Sequence, residues 1–267
     1  MKFKKFNPLI SIIMNCHNGE NYLKQSLKSV KSQSYKNWEL IFYDNSSTDN
    51  SKLILKNTKD RRIKYYFSKK FLSLYDARNK AIKKSKGKYL AFLDVDDVWT
   101  KDKLKKQILF IKKDNNYKMI YSNYKVFKER NKSKITKYNK NLPVGSITQD
   151  LLKEYFINIS TVLIEKKIFD KKKFNRFYSI IGDFAFSISV SKSINIGCVQ
   201  KPLTIYRLHS NNFSSKNLNL YLKEMIYWYR KDGIKLKKEG YDLVNINFLI
   251  FKLFIKNILL SIKKFIN

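Results

Sequence analysis

Short apolar runs alternate with amphipathic stretches along the first 125 residues of the chain. Five runs have the length and composition of buried strands. They lie at residues 9–14, 38–43, 63–67, 89–93 and 119–122. Between them, apolar residues recur every three or four positions, which predicts helices with one buried face. Strands that alternate with helices form mostly parallel sheets covered on both faces, so the pattern predicts an α/β fold.

The pattern is looser after residue 125. Residues 125–141 carry many charges and predict a mobile stretch. An apolar run at 199–206 contains Pro202, which favours a strand at the edge of the sheet. The remaining predicted elements are a strand at 161–164, a helix at 182–192, and helices from about Asn217 to the end.

The chain is strongly basic, with 56 Lys and Arg against 21 Asp and Glu and a formal net charge of +35. Its 43% of apolar residues predict a folded core despite that charge. Two explanations of the charge stay open. One is a general bias of the composition toward Lys, Asn, Ile, Phe and Tyr, which would place lysines on every solvated surface without a specific partner. Alternatively, the charge attracts a polyanion, either nucleic acid or an anionic membrane leaflet.

Other features of the sequence bear on the compartment. Cys16 and Cys198 have no metal-site spacing and form no disulfide framework, which indicates a reducing environment. Residues 1–6 lack the apolar segment of a signal peptide. No run of about 18 uncharged apolar residues is present, so we expect no helix that spans a bilayer. These features predict a cytoplasmic protein.

Polar clusters follow three of the predicted strands, at residues 15–18, 44–47 and 94–97. In parallel sheets, ligands bind at the carboxyl ends of the strands. We therefore expect the three clusters to meet at one edge of the sheet.

The third cluster holds three carboxylates within four positions: Asp94, Asp96 and Asp97. Carboxylates this close repel one another, and a cation offsets that cost. Mg²⁺ and Mn²⁺ prefer oxygen ligands, and Mg²⁺ is usually held by one or two carboxylates together with substrate phosphates. The spacing alone is equally typical of the N-terminus of the helix predicted to follow, which favours acidic residues.

Several ordered motifs resemble glycosyltransferase family 2, whose members are inverting enzymes with the GT-A fold. In order along the chain they are His17-Asn18, Gln33-Ser34-Tyr35, Trp38-Glu39-Leu40-Ile41, Asp44 to Asp49, Ala77-Arg78-Asn79 and Phe92 to Trp99. The resemblance covers about residues 8–210. It implies a GT-A domain at 1–216, with a nucleotide-sugar half at about 1–125 and an acceptor half at about 126–216. Residues 217–267 would then be a helical C-terminal tail.

The resemblance also implies roles for individual residues. Asn15, His17, Asn18, Glu20, Asp44 and Asn45 would bind the nucleobase and ribose of a nucleotide-sugar donor, with Arg78 near its base or phosphates. Asp94 and Asp96, with Asp97 beside them, would form the Asp-x-Asp site: Asp94 and Asp97 on the donor side, Asp96 as a ligand of Mn²⁺ or Mg²⁺. His209, in "IYRLHSNNFS", would be a further metal ligand.

The catalytic base implied by the resemblance is Asp183, in "YSIIGDFAFSISVS". The family often has a second acid two residues later, where this chain has Ala185. It also has Asn45 where a second Asp is common, and it lacks the Gln-x-x-Arg-Trp motif of processive synthases. We therefore expect a non-processive enzyme that acts on a glycan or lipid-linked glycan in surface polysaccharide or glycolipid assembly. The alternatives are a nucleotidyltransferase or a basic nucleic-acid-binding protein, the latter disfavoured because the aromatic residues occupy predicted core positions.

The last 21 residues have an apolar helical face. Its members are Phe248, Phe251, Ile255, Ile258, Ile262 and Phe265, and Lys252, Lys256 and Lys263 fall on another side. Such a helix suits the headgroup plane of an anionic membrane leaflet, which would make the protein peripheral at the inner face of the cell membrane. A helix that packs on the domain, with its lysines solvated, fits the pattern nearly as well.

Overall fold

The computed structural model describes the backbone of residues 6–266 and the side chains of residues 6–261. Its strands are β1 (Ile10–Cys16), β2 (Trp38–Asp44), β3 (Ile63–Phe67), β4 (Tyr89–Phe92), β5 (Val98–Trp99), β6 (Tyr117–Lys128), β7 (Ser133–Thr136), β8 (Leu163–Glu165) and β9 (Asn195–Leu208). Its helices are α1 (Glu20–Lys31), α2 (Ser51–Lys56), α3 (Leu74–Lys84), α4 (Lys103–Lys113), α5 (Thr148–Lys153), α6 (Ile168–Lys171), α7 (Gly182–Ser191), α8 (Phe213–Lys216), α9 (Leu218–Trp228), α10 (Ile234–Lys238) and α11 (Val244–Ile266).

The nine strands form one mixed sheet in the order β3-β2-β1-β4-β8-β6-β9-β5, with β7 added to β6. Strands β3, β2, β1 and β4 are mutually parallel, and β6 is parallel to β9. Strand β8 lies antiparallel between β4 and β6, so six strands run in one direction. The predicted α/β fold with a mostly parallel sheet is confirmed.

Helices cover both faces of the sheet because successive strand residues point to opposite sides. On one face, Ile10, Ile12 and Met14 of β1 pack in a core shared with α1 and α4. On the other face, Ile13 joins a larger core that α3, α7 and α9 complete. The chain after residue 217 contributes Leu222, Met225, Trp228, Leu236, Leu243, Ile246 and Leu253 to that same core.

Two predictions for the second half are wrong. Residues 125–136 are ordered rather than mobile, because β6 turns back on β7 and the two pair from Lys125 to Thr136. Strand β9 is not an edge strand along its whole length, since β6 flanks it on one side and β5 pairs with Thr204 and Ile205 on the other. Pro202 is accommodated because it lies outside the paired residues, where the register of β9 on β6 shifts between Val199 and Thr204.

The chain from Leu218 onward is helical, as expected, and α11 is its longest helix. The segment Val244–Ser261 of α11 is long and apolar enough to cross a membrane by length and composition, with a mean hydropathy of 1.5. This finding differs from the expectation of no such helix. The two lysines of this segment, Lys252 and Lys256, do not lower its hydropathy enough to exclude it. Ile262, Lys263 and Phe265 lie outside the described side chains.

Candidate active site

The carboxyl ends of three neighbouring strands bring the polar clusters to one edge of the sheet. Asn15 and Cys16 of β1 pair with Tyr43 and Asp44 of β2, and β4 lies on the other side of β1. From β1 the chain proceeds through β2 and β3 on one side and returns to β4 on the other. The edge between β1 and β4 is therefore a topological switch point, where open α/β sheets bind ligands.

Two loops at this edge are tied together by their polar side chains. The Asn18 side-chain oxygen accepts the Thr48 N–H at 2.8 Å, and Asn18 itself adopts a left-handed conformation with φ 52°. The Glu20 carboxylate accepts the backbone N–H of Asn50 at 3.0 Å and its side-chain amide at 2.8 Å. In return, Asp49 accepts the Glu20 N–H at 2.9 Å. Asn18 and Glu20 thus fix the loops in which they lie.

Asp44 and Asn45 are also engaged by the protein. The buried Asp44 carboxylate accepts the Ser47 N–H at 2.8 Å and the Tyr65 hydroxyl at 2.9 Å. The Asn45 amide both donates to the Leu72 carbonyl at 2.9 Å and accepts the Leu72 N–H at 3.0 Å. An ionised aspartate only accepts hydrogen bonds, so it could not replace Asn45 in this pair. The presence of Asn at position 45, where Asp is common in the family, therefore has a structural reason.

Asn15 and His17 are available to a ligand. Asn15 is 9% exposed, and within the described residues neither its amide nitrogen nor its oxygen has a hydrogen-bond partner. A buried polar group normally has one, so the Asn15 amide is an open binding position. The exposed His17 ring meets the exposed Phe71 ring edge-on, with centroids 4.6 Å apart, and its Nδ1 lies 2.9 Å from the Asn45 carbonyl oxygen.

The three aspartates after β4 have three different partners. Asp94 forms an ion pair with the buried Arg78, and its carboxylate stays partly exposed. The Asp96 carboxylate lies 3.0 Å from His209 Nε2. Asp97 is 1% exposed and accepts the backbone N–H of Arg207 on β9 at 3.1 Å. The residues of this chain therefore supply part of the positive charge that the cluster needs.

Asp97 lies beneath the other two carboxylates. Burial raises its pKa well above the ordinary value, and the charges of Asp96 and Asp94 add to that effect. Its bond to the Arg207 N–H fastens β9 to the segment that carries Asp94 and Asp96. The structure thus separates Asp97, which faces the interior, from the two partly exposed carboxylates.

His209 and Arg207 hold Asp96 from the β9 side. The Asn211 N–H lies 3.1 Å from His209 Nδ1, which makes Nδ1 the acceptor and leaves the ring proton on Nε2, facing Asp96. The Arg207 guanidinium donates to the Asp96 carbonyl oxygen at 3.0 Å and stacks over the Tyr22 ring at 4.9 Å. Arg207 lies in the segment "IYRLHSNNFS", but the sequence alone indicated no role for it.

The donor set suits a divalent cation that is shared with a substrate. Among residues 6–261, no three His, Cys, Asp or Glu side chains form a group that could hold a metal by themselves. Asp96 is partly exposed, with one carboxylate oxygen beside His209. Asp96 can bind an ion without rearrangement, whereas His209 would first have to move its proton from Nε2. This set fits Mg²⁺ or Mn²⁺ if phosphate oxygens complete the shell.

Asp183 lies in the first turn of α7, where its carboxylate accepts the Tyr75 hydroxyl at 2.9 Å. Burial raises the pKa of Asp183, while the Arg78 charge and the Tyr75 hydroxyl oppose that rise. Gly182 allows the approach, because a Cβ at that position would lie 2.4 Å from the Tyr75 ring. Tyr75 was missed from the sequence, although it precedes Arg78 by three positions and so shares a helical face with it.

Glu224 of α9 holds the loop that leads into α7. Its buried carboxylate accepts the backbone N–H groups of Ser179, Ile180 and Ile181, at 2.7, 3.0 and 3.1 Å. These groups precede the helix and would otherwise need other partners. Nothing in the local sequence indicated this role, since Glu224 lies more than 40 positions after the loop.

Arg78 acts on two carboxylates, those of Asp94 and Asp183. Its guanidinium pairs with Asp94, and its charge favours the ionised form of Asp183. Asp94 acts on Asp183 in the opposite sense and raises its pKa. This edge therefore contains a charged pair at the strand ends and one carboxylate of elevated proton affinity, which is coupled to that pair by charge.

The chain has relatives among known proteins. Residues 11–191 match the sequence model of Glycosyl transferase family 2. The chain is 32% identical over 209 residues to UDP-Glc:alpha-D-GlcNAc-diphosphoundecaprenol beta-1,3-glucosyltransferase WfgD of Escherichia coli, which covers 78% of this chain and 80% of WfgD. It is 38% identical over 190 residues to a glycosyltransferase of Haemophilus influenzae, covering 70% and 73% of the two chains. It spans 31% of a longer glycosyltransferase of Rickettsia bellii.

Solved structures share the fold at low sequence identity. TarS of S. aureus, in complex with UDP-GlcNAc, has a TM-score of 0.64 and 15% identity over 82% of this chain and 66% of TarS. The mannosyltransferase PcManGT of Pyrobaculum calidifontis, in complex with GDP-Man and Mn²⁺, has a TM-score of 0.64 and 11% identity over 85% and 65% of the two chains. The chain thus belongs to glycosyltransferase family 2 and is a glycosyltransferase with the GT-A fold.

Proposed function

We propose that this glycosyltransferase moves one sugar from a nucleotide sugar to a hydroxyl group of a lipid-linked glycan, with inversion at the anomeric carbon. The observation that carries the proposal is the position of Asp183. Its carboxylate has a raised pKa and is coupled by charge to the Asp94–Arg78 pair at the strand ends. A single base beside the donor site is what a one-step displacement requires.

The reaction is one displacement. Asp183 accepts the proton of the acceptor hydroxyl while the acceptor oxygen forms its bond to the anomeric carbon. The bond from that carbon to the donor diphosphate breaks on the opposite face, and the nucleoside diphosphate leaves with the electron pair. The raised pKa makes Asp183 a stronger base than an ordinary carboxylate, and Tyr75 fixes the direction in which it accepts the proton.

The donor side divides into residues that face the ligand and residues that hold them. The open amide of Asn15 and the exposed ring of His17, with Phe71 beside it, would contact the nucleobase and ribose. Asn18, Glu20, Asp44 and Asn45 would act by fixing the two loops, since their polar atoms already bind the protein. Arg78 and Asp94 would lie by the ribose and phosphates, with Asp97 supporting them from beneath.

Asp96, with His209 beside it, would hold Mn²⁺ or Mg²⁺ together with oxygens of the donor diphosphate. Such an ion supplies Lewis-acid stabilisation to the charge that develops on the leaving group. Arg207 would keep Asp96 in place through its bond to the Asp96 carbonyl oxygen.

A lipid-linked acceptor is supported by the relatives. The name of WfgD states that it transfers glucose from UDP-Glc to an N-acetylglucosamine held on diphosphoundecaprenol. An acceptor of this kind lies in a membrane, and its product enters surface polysaccharide or glycolipid assembly. The enzyme would then work as a peripheral protein at the inner face of the cell membrane.

The test is an assay of the purified chain with UDP-glucose, then with other UDP- and GDP-sugars, and with a synthetic N-acetylglucosaminyl diphosphate lipid as acceptor. We expect transfer of one sugar, an inverted anomer by NMR, loss of activity in EDTA and recovery with Mn²⁺ or Mg²⁺. A retained anomer would exclude the single displacement. Full activity in EDTA would remove the metal from the proposal while leaving Asp183 in place.

A further inference from the structure

Helix α11 has two apolar faces that point in opposite directions. At 100° per residue, Ile246, Leu253 and Asn257 lie on one side of the helix. Ile246 and Leu253 are buried in the large core, so this side is the packed face. The sequence suggested either a membrane helix or a core helix, and the structure has features of both.

Hydrogen bonds reinforce the packed face at both ends. The Asn245 side chain donates to the Lys153 carbonyl, which closes α5, at 2.6 Å. The Asn257 side chain donates to the Leu218 carbonyl at the start of α9, at 3.2 Å. The helix is therefore fastened to the domain along at least twelve residues.

The opposite side carries an apolar stripe that is exposed to solvent. Its residues are Val244, Phe248, Phe251, Ile255, Ile258 and Leu259, which are 39–66% exposed. Around the helix axis, each of these residues lies within about 60° of their average direction. Along the axis, the stripe extends for about 22 Å at 1.5 Å per residue. Scattered apolar residues on a surface are ordinary, but a contiguous stripe that includes two phenylalanines marks an interaction surface.

Lysines border this stripe. Lys252 and Lys256 fall between the stripe and the packed face, and both are exposed. The chain as a whole has a net charge of +35. An apolar stripe with a basic margin matches a bilayer surface that has acyl chains below anionic headgroups.

We propose that the outward face of α11 docks the enzyme on an anionic lipid bilayer, with α11 lying in the plane of the headgroups. Phe248, Phe251 and Ile255 enter the acyl boundary, while Lys252 and Lys256 bind anionic headgroups. The proposed function explains why such a surface is useful, but the surface itself rests on exposure and charge and needs no assumption about the reaction.

Two other arrangements fit less well. To span the bilayer, α11 would have to leave the domain, which would expose Ile246 and Leu253 and break the bonds of Asn245 and Asn257. A second copy of the chain would cover the stripe, but it would bring two chains of charge +35 together with their lysine margins adjacent. Anionic lipid gains from the same lysines.

A short segment links α11 to the active site. Asn257 contacts Leu218, which follows His209 by nine positions. Nine residues reach at most about 30 Å when fully extended. This segment therefore joins the helix that α11 contacts to the residue that lies beside Asp96.

The experiment measures binding to vesicles by co-sedimentation, with the full chain and with vesicles of phosphatidylcholine alone or mixed with phosphatidylglycerol. Wild-type protein is expected to bind the anionic vesicles at low salt. The triple variant Phe248→Ser, Phe251→Ser and Ile255→Ser is expected to bind at least about tenfold more weakly. Lys252→Gln with Lys256→Gln is expected to weaken binding to anionic vesicles only, by about fivefold per lysine.

The matched control is Leu53→Ser with Leu109→Ser, which removes two exposed leucines from α2 and α4. We expect it to bind vesicles as the wild type does. The thermal unfolding midpoint of every variant should stay close to that of the wild type, because none of the replaced side chains is buried. Deletion of α11 is a poorer test, since it also removes Ile246 and Leu253 from the core.

Several outcomes overturn the proposal. Wild-type protein that ignores anionic vesicles at low salt would do so, as would a triple variant that binds like the wild type. A dimer in analytical ultracentrifugation that dissociates in the triple variant would assign the stripe to a second copy instead. If vesicle binding follows the expectation but no sugar is transferred to any lipid acceptor, the surface stands and the proposed function fails.

Discussion

Two regions of the proposed active site are held together in different ways. One is the donor edge, the loops after β1 and β2 that we propose to bind the nucleotide sugar, and the other is the surroundings of Asp183, the proposed base. At the donor edge, the loops after β1 and β2 hold each other through Asn18, Glu20 and Asp49, whose hydrogen bonds join residues about 30 positions apart. Asp183 is instead held by Tyr75, 108 positions earlier. Glu224, more than 40 positions later, holds its loop. The donor-edge loops are held by several mutual bonds, so we expect a substitution of one residue there to have a small effect. Asp183 and its loop depend on single distant residues, so we expect a substitution of one of these to alter turnover.

The largest effect that separates the two regions is expected from Asp183→Asn. An amide cannot accept the acceptor proton, so turnover should fall by on the order of a hundredfold or more. Donor affinity should stay near the wild-type value, because Asp183 bonds to Tyr75 rather than to the donor-edge loops and acts on Arg78 through charge alone. Turnover with the lipid-linked acceptor and isothermal titration with the nucleotide sugar measure the two quantities.

The control for that change is Asp170→Asn, an exposed aspartate on α6. It should leave both turnover and donor affinity near the wild-type values. Equal losses of turnover and donor affinity in Asp183→Asn would instead mean that Asp183 is structural and that the two regions are not separable.

A smaller effect of the same kind is expected from Glu224→Gln. Glutamine keeps one acceptor oxygen but replaces the other with a donor, which faces the N–H groups of Ser179, Ile180 and Ile181. The loop before α7 should shift, and kcat should fall by roughly tenfold, equivalent to about 1.4 kcal/mol, while the KM for the donor stays unchanged. Glu224 is thus a positioning residue.

Glu239→Gln provides the matched comparison, since Glu239 is exposed and pairs with Lys192 on the surface. It should leave kcat near the wild-type value. If Glu224→Gln lowers the unfolding midpoint but leaves kcat intact, the residue stabilises the fold without positioning the base.

The smallest effect is expected from Tyr75→Phe and concerns pH. The Tyr75 hydroxyl lowers the pKa of Asp183 against the effect of burial, so its removal should raise that pKa further. Because the base works when ionised, the acidic limb of the kcat/KM profile should move to higher pH. Activity on the alkaline plateau should change little.

Tyr121→Phe is the control for the pH profile, because its hydroxyl donates to the Pro143 carbonyl and not to Asp183. Its profile should match the wild type. A Tyr75→Phe profile that keeps its acidic limb in place would show that the hydroxyl does not tune Asp183.

The contrast also explains what the sequence could predict. The alternation of strands and helices predicted that residues 15–18, 44–47 and 94–97 meet at one edge, because the carboxyl ends of parallel strands lie on the same side of a sheet. Asp183 was accessible through its resemblance to a family motif. The carboxylate of Glu224 and the hydroxyl of Tyr75 were not, since their roles arise only when distant helices pack against α7.

The two wrong predictions have different origins. Residues 125–136 have no local apolar signal of a strand, and they are ordered because β7 pairs with β6. Pro202 favoured an edge when considered alone, but the bulge that accommodates it depends on the register of β9 against β6. The partner of residues 125–128 is thus near in sequence, within one hairpin, whereas the partner of β9 lies far away, since Tyr124 pairs with Thr204.

The two faces of α11 have a consequence for how the protein tolerates inherited change. Substitutions at Ile246 or Leu253 remove core contacts and should be recovered in a genetic screen as temperature-sensitive alleles. Substitutions at Phe248 or Phe251 leave the core intact and should be recovered as alleles that are defective at every temperature yet accumulate normal amounts of protein. Substitutions at neighbouring positions of α11 would thus fall into two phenotypic classes. The classes would alternate along the sequence with the period of the α-helix.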